Sequence, residues 1–212
     1  IIPCSEKDLL KNPFTDIQSF YTKFPIQVEG LVISNKIPEL PSATRNVNFQ
    51  WIDSLEKHKS KKILQGLRKA TGDIIIYCSM DLGTPLAEHM NVIKCFMDQP
   101  SVPLILGTRK EDKRKPHGQI SFKQKWIEDI MSEKFIAADT VLDPSHSFWA
   151  LRKEWLAKIL PELHGESWFF GNELAIQTKK QNGTFAVMAT NYHYNPESQL
   201  PWLRELFKII FS

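Results

Sequence analysis

Short apolar runs closed by turn residues alternate with longer segments of helical period through the first half of this chain, the pattern of a parallel α/β sheet. The runs at 1–4, 28–34, 47–52, 73–78 and 102–106 predict strands, and 15–23, 59–70 and 86–97 predict helices. In the segment 61–70, Ile63, Leu64, Leu67 and Ala70 recur at three and four residues, with Lys61, Lys62, Arg68 and Lys69 between them, as a helix with one buried face requires. Gly72 is expected to supply the left-handed residue that ends this helix, and Asp73 to open the next strand. The second half changes character: 122–135, 148–160 and 168–180 predict helices, and 184–191 a strand. Trp149, Trp155 and Trp168 are expected in the core of that half.

With 42% apolar residues in 212, the chain can bury one sizeable core. Its 27 basic and 24 acidic side chains are too evenly balanced to argue for nucleic acid, and the basic runs at 57–62 and 109–115 lack interleaved aromatics. Cys4, Cys78 and Cys95 form no CxxC pair and are odd in number, which argues against a disulfide framework or a zinc site and for a reducing, cytoplasmic setting. Neither a run of about 18 apolar residues nor a signal peptide is recognisable. The tail 201–212 places Trp202, Leu203, Leu206, Phe207 and Ile210 on one side, and so suits either a membrane surface or packing on its own domain.

The stretch TGDIIIYCSMDLGTP, residues 71–85, runs from a helix end through a buried strand to a lone acid, Asp81, and a Gly-Thr-Pro corner. In order along the chain come Ile1-Ile2-Pro3-Cys4-Ser5-Glu6, then Gly66 through Asp73 leading to Asp81-Leu82-Gly83-Thr84-Pro85, then Gly107-Thr108-Arg109. Asp143 through Leu151, Phe170-Gly171-Asn172-Glu173-Leu174, and Tyr192 through Gln199 follow. This series resembles the family-2 glycosyltransferases of the GT-A fold, and most of all the polyprenyl-phosphate or dolichyl-phosphate sugar synthases. The resemblance implies one α/β domain over 1–200, with a Rossmann-like, mostly parallel sheet and helices on both faces. In it, 1–110 is the nucleotide-type half, 111–200 the acceptor half, and 201–212 an amphipathic tail.

In that family two carboxylates at the sheet's C-terminal edge hold a divalent metal and the donor, because the departing diphosphate needs its charge neutralised. Here the element is Ser79-Met80-Asp81, so one carboxylate of the pair remains, and Mg²⁺ or Mn²⁺ would be held weakly by Asp81. The usual acidic pair after the second strand is Ser34-Asn35, and a Gly-Lys-Gly turn is replaced by Lys59-Ser60-Lys61. The resemblance implies Asp81, Arg109 and Asp143 as catalytic residues. It implies Pro3, Ser34, Asn35, Lys61, Ser79 and Asp81 on the donor side, with Lys61 or Lys62 facing phosphate. On the acceptor side it implies Lys110, His146, Glu173 and His193. Cys78 is read as a packed apolar residue, since no His-Asp arrangement follows it.

Two readings follow. In the first, the protein transfers a sugar from a nucleotide-sugar to a phosphate-bearing or hydroxyl acceptor, polyprenyl phosphate at a membrane surface being one candidate. In the second, the losses at Ser34-Asn35, 59–61 and Ser79 mark an inactive glycosyltransferase-like module that binds or scaffolds.

Overall fold

A computed structural model describes residues 1–5, 12–109, 146, 148–166 and 170–192. Its elements are β1 (Ile2–Pro3), α1 (Phe14–Tyr21), β2 (Val28–Ser34), β3 (Val47–Asp53), α2 (Lys59–Lys69), β4 (Ile74–Ile76), α3 (Leu86–Asp98), β5 (Leu104–Arg109), β6 (Trp149–Arg152), α4 (Lys153–Ile159), a 3₁₀ turn (Leu160–Glu162), α5 (Phe170–Lys180) and β7 (Phe185–Thr190). Lys110, Asp143, Trp168, His193, the expected helix at 122–135 and the tail 201–212 lie outside the described residues.

β1, β2 and β3 pair in parallel, and β4, β6, β5 and β7 form a second ladder in that order. The two are joined where Ile1 donates to the Ile76 carbonyl at 2.8 Å and accepts from the Cys78 amide at 3.0 Å. The result is one continuous sheet, β3-β2-β1-β4-β6-β5-β7, in which β6 alone runs antiparallel to its neighbours.

Alternation along each strand divides the core between two faces. Ile1, Leu31, Ile33, Ile75, Tyr77, Leu104, Leu106, Trp149 and Leu151 pack under α2, α4 and α5. Ile2, Val32 and Val47 pack under α1, and Ile105, Phe148 and Ala150 under α3. Both faces are therefore covered by helices, which explains the apolar runs of β4 and β5, whereas β3, at the end of the sheet, alternates with Asn48 and Gln50 exposed.

Two expectations need correction. The segment 148–160 is not one helix: Trp149–Arg152 is a strand, and a helix begins only at Lys153. A short apolar run buried on both sides carries no period that separates strand from helix. Gly72 is not left-handed, because the positive-φ residues described are Asn12, Leu82, Asn182 and Gly165. Instead Ala70 turns extended at φ −59° and ψ 134°, and Glu29 of β2 receives the Thr71 amide at 3.0 Å and hydroxyl at 3.1 Å. β5 also runs past the expected end at 106, and its parallel register with β7 reaches Arg109 opposite Thr190.

Candidate functional site

The parallel strands end on one edge, and the turn after β4 lies there. Residues 79–83 close on themselves: the Ser79 hydroxyl donates to Asp81 Oδ1 at 2.6 Å, the Gly83 amide donates to the same oxygen at 3.1 Å, and the Leu82 amide donates to the Ser79 carbonyl at 3.1 Å. Leu82 takes φ 48°, a value uncommon outside glycine that tightens the turn and leaves Asp81 exposed beside buried Met80. Ser79 and Asp81 are thus brought together, with the serine orienting the carboxylate.

Around this turn stand charges and rings contributed by other strand ends. The Lys59 ammonium, at the start of α2, lies 5.1 Å from the centre of the Tyr77 ring, and the Arg109 guanidinium, at the end of β5, lies 5.8 Å from the Tyr192 ring centre. Burial lifts the Tyr192 phenol above its ordinary range; the Asp81 charge adds to the lift, while Arg109 and Lys59 oppose it. The buried Tyr77 phenol is raised for the same first reason, with Lys59 opposing. These couplings place Asp81, Lys59, Arg109 and both phenols in one electrostatic neighbourhood. Lys59, Tyr77 and Tyr192 were not among the expected site residues. A strand-end aromatic and the first lysine of a helix were the available signals, but their meeting depends on sheet order.

The acceptor-side expectation for His146 meets a packed environment. His146 is buried, its Nε2 is 2.7 Å from the Thr190 hydroxyl, and Tyr192 stands edge-on to its ring at 5.0 Å. The Thr190 hydroxyl lies 3.3 Å from the Thr108 carbonyl it donates to, so His146 locks the ends of β5 and β7. Behind them, Glu88 in the first turn of α3 receives the Asn191 amide at 3.0 Å and its side-chain nitrogen at 2.6 Å. Glu173 receives the backbone amides of His164 at 2.5 Å and Gly165 at 3.2 Å. Its carboxylate therefore holds the loop after the 3₁₀ turn, and Gly165 sits so close to Ser60 that an added Cβ would lie 3.0 Å from the Ser60 carbonyl oxygen.

On the donor side, Ser34 is fully buried, donates to the Lys36 carbonyl at 2.6 Å and accepts from Trp51 Nε1 at 3.1 Å. Its side chain is structural, whereas the next residue, Asn35, is exposed on the rim. Pro3 is buried inside β1. Lys62 is also buried and donates to the Cys4 carbonyl at 2.5 Å, so of the two lysines expected to face phosphate, half-buried Lys61 alone stays near the surface. Cys78 is buried, and burial pushes its thiol up to about 12, which leaves no thiolate for nucleophilic chemistry near neutrality.

No family model and no curated protein matches the sequence. Solved structures do match. A mannosyl-3-phosphoglycerate synthase from Rubrobacter xylanophilus aligns with 99% of this chain and 70% of its own, at TM-score 0.66 and 12% identity. Glucosyl-3-phosphoglycerate synthase from Mycobacterium tuberculosis, in complex with uridine diphosphate, aligns with 99% of this chain and 76% of its own at TM-score 0.66 and 12% identity. The same enzyme with Mn²⁺, UDP-glucose and phosphoglyceric acid gives TM-score 0.61, 12% identity, and coverage of 99% and 76%. The chain has the GT-A fold.

Asp81 lies at the carboxyl edge of the parallel strands, where open α/β sheets as a class take their ligands. Toward a divalent metal at this edge the described residues offer a single carboxylate. Among the described residues no three His, Cys, Asp or Glu side chains converge, and the one carboxylate present already has an oxygen engaged by Ser79 and Gly83. A hard cation wants about six oxygen ligands, of which a nucleotide site commonly supplies one or two from carboxylates and the rest from water and phosphates, so Asp81 would be the described residue to hold it. What the GT-A edge does offer is cationic and phenolic: Lys59, Arg109 and Tyr192 around one carboxylate.

Proposed function

We propose that this GT-A chain transfers a sugar from a nucleotide-sugar to a small phosphate-bearing acceptor. The observation that carries the reading is the gathering of Asp81, Lys59, Arg109 and Tyr192, drawn from four separate strand and helix ends, at the ligand-binding edge of the sheet. In such a transfer the bond from the anomeric carbon to the diphosphate breaks, and a bond to an acceptor oxygen forms. Negative charge grows on the departing diphosphate, and fixed cations lower that barrier. Lys59 and Lys61 at the start of α2 would face the diphosphate, with Asn35 at the rim for the base or ribose. Asp81, oriented by Ser79, would take donor hydroxyls. Arg109 would receive the acceptor phosphate, with the ring of Tyr192 as its platform.

Two enzymes of the same fold carry 3-phosphoglycerate in their names, and this supports a small anionic acceptor. Polyprenyl phosphate presents the same charged group on a lipid. The residues that would meet a membrane, the rest of the basic run and the tail 201–212, lie outside the described residues, and no helix among those described is long and apolar enough to cross one. The binding-module reading keeps one specific support, the closure of Ser34 by Trp51 and Lys36 where the family places a donor ligand.

Calorimetry with UDP, GDP and their sugars, with and without Mn²⁺, tests the proposal, followed by mass analysis of products formed with 3-phosphoglycerate or a polyprenyl phosphate. One nucleotide should bind, and Asp81→Ala should weaken it at least about tenfold, or 1.4 kcal/mol. Asp81→Asn, which keeps the turn's acceptor oxygen, separates loss of charge from loss of the turn. If no nucleotide binds under any condition, transfer is excluded and the module reading stands.

A further inference from the structure

Tyr77 follows β4 and stands two residues ahead of the turn that carries Asp81. Its amide still continues the ladder, donating to the Trp149 carbonyl at 3.1 Å. Its side chain enters the face packed under α2, α4 and α5, where the Trp149 ring stacks on it at 5.6 Å with the planes 22° apart, and Phe170 lies 5.8 Å from Trp149. The phenol is therefore held in one place. Only 2% of the residue is exposed, yet its hydroxyl meets no hydrogen-bond partner among the described residues. Buried polar groups are nearly always paired, and a phenylalanine would fill the same space without giving up a hydroxyl's hydration. A tyrosine here calls for a partner from outside the fold.

The surroundings define that partner. The Lys59 ammonium is 5.1 Å from the ring centre, and the charges of Lys59 and Asp81 both act on the phenol. Burial raises its pKa, with Lys59 opposing, so the oxygen keeps its proton through neutrality and the group donates rather than acting as a base. An ammonium has donors alone. Two donors side by side at the carboxyl edge of the sheet suit one anionic oxygen, to which charge-assisted bonds are short and strong. A neutral sugar hydroxyl or base would gain little from the ammonium.

We propose that the Tyr77 hydroxyl and the Lys59 ammonium together hold one oxygen of the donor's diphosphate. This deepens the sugar transfer proposed above and rests on it for the identity of the anion. As the bond from the anomeric carbon to the diphosphate breaks, its electron pair stays on the diphosphate oxygen. Tyr77 donates a hydrogen bond to the growing charge and keeps its proton, while Lys59 supplies a positive charge beside it. A neutral donor fixed by the stack on Trp149 needs no reorganisation as that charge develops. Tyr77 is then a catalytic residue, and the fold has no use of its own for the hydroxyl.

The test uses Tyr77→Phe, with inorganic pyrophosphate, UDP and GDP as probes in calorimetry. Pyrophosphate should bind the parent and bind Tyr77→Phe about tenfold or more weakly, as for the loss of one charge-directed donor. Lys59→Met should weaken it as well, and the double variant should lose less than the sum of the two, because both groups act on one oxygen. Tm of Tyr77→Phe should equal or exceed that of the parent, since no bond within the fold is lost. Pyrophosphate should also perturb the parent's tyrosine absorption, a signal that Tyr77→Phe removes. A parent spectrum unchanged at saturation overturns the inference whatever happens to Tm. So does pyrophosphate binding that is equal in parent and Tyr77→Phe, and a lowered Tm beside equal binding would give the hydroxyl to a buried water. A nucleotide bound equally by both proteins likewise overturns it and leaves sugar transfer standing. Tyr77-dependent binding of pyrophosphate with no binding of either nucleotide does the reverse, keeping the anion site and removing the transfer. A parent that binds no probe removes both.

Discussion

The two sides of the candidate site are built differently. On the side expected to take a donor, at the end of β2 and in α2, side chains expected to meet a ligand are closed into the protein: Ser34 binds Lys36 and Trp51, and Lys62 binds Cys4. On the acceptor side, at the ends of β5 and β7, the interior work falls to His146, Thr190 and packed rings, while Arg109 and Tyr192 stand over them near the surface. The contrast teaches that a strand end lacking the ligand residues of a family it resembles need not be an open hole. Packing can take over such a position, and under the proposed transfer recognition would fall to neighbours such as Asn35 and Lys59. Substitutions on the donor strand ends should therefore read out as stability, and those around Arg109 as both stability and binding.

The sharpest way to break the acceptor side is Gly107→Val. A Cβ at this position of β5 would lie 2.8 Å from His146 Cδ2, 2.9 Å from its Nε2 and 3.0 Å from Phe148 Cδ1. Each neighbour is a buried ring held in place, so a small shift cannot relieve the clash. A loss of about 3 kcal/mol in urea unfolding is expected, at the upper end of overpacking effects. His146 should separate from Thr190, and nucleotide-dependent activity should fall with it. A variant as stable as the parent would mean that the ring cluster is loosely packed.

Acid should also distinguish the two sides. His89, in α3, stacks on Phe148 at 5.6 Å, has Nδ1 2.5 Å from the Tyr21 hydroxyl, and has its other ring nitrogen buried without a partner among the described residues. Burial lowers its pKa to about 3 from 6.5; the positive Ile1 amine adds to the fall, and Glu88 acts against it. In the folded state the ring stays neutral where the unfolded chain takes up a proton. The stability from this group is therefore complete above about 6.5 and lost as pH falls toward 3. On the order of 2 kcal/mol should already have disappeared by about pH 5, measured as the urea midpoint at successive pH values. His89→Gln should flatten the decline, and parallel curves for parent and variant would remove His89 as its cause.

Much of the fold was legible because both sheet faces are buried. Strand β2 announces itself by the apolar run at 31–33, β3 by its alternation, and helices α2 and α3 by one clear helical face. The same double burial hid β6, since Phe148, Trp149, Ala150 and Leu151 look alike whether they feed a helix or a strand between two helical layers. Of the candidate site, the positions of Asp81 and Arg109 at strand ends were legible, each following an apolar run that a strand explains. It was not legible at Lys59, Tyr77 and Tyr192, because their proximity is set by the order β1-β4-β6-β5-β7, which pairs elements distant in sequence. Nor could residue type show that Ser34 faces inward while Asn35 faces out: an adjacent pair in an extended chain alternates sides, and register alone decides which is which.

That alternation gives the finest test of the comparison, Ser34→Ala beside Asn35→Ala. Removing the Ser34 hydroxyl deletes its bond to the Lys36 carbonyl and one of the two acceptors of Trp51 Nε1, the Ser34 carbonyl at 3.3 Å remaining. A loss of about 1 kcal/mol is expected, because the indole keeps a partner and the Lys36 carbonyl lies on an exposed residue. If Ser34 is purely structural, nucleotide affinity measured by calorimetry well below the melting temperature should stay within about twofold, or 0.4 kcal/mol, of the parent. Asn35→Ala should reverse the pattern, leaving stability within about 0.5 kcal/mol of the parent, as for most surface changes, while weakening nucleotide binding. Equal binding losses from both variants would mean that the Ser34 hydroxyl leaves Trp51 for the ligand, and the donor side would then be a ligand site held closed rather than one replaced by packing.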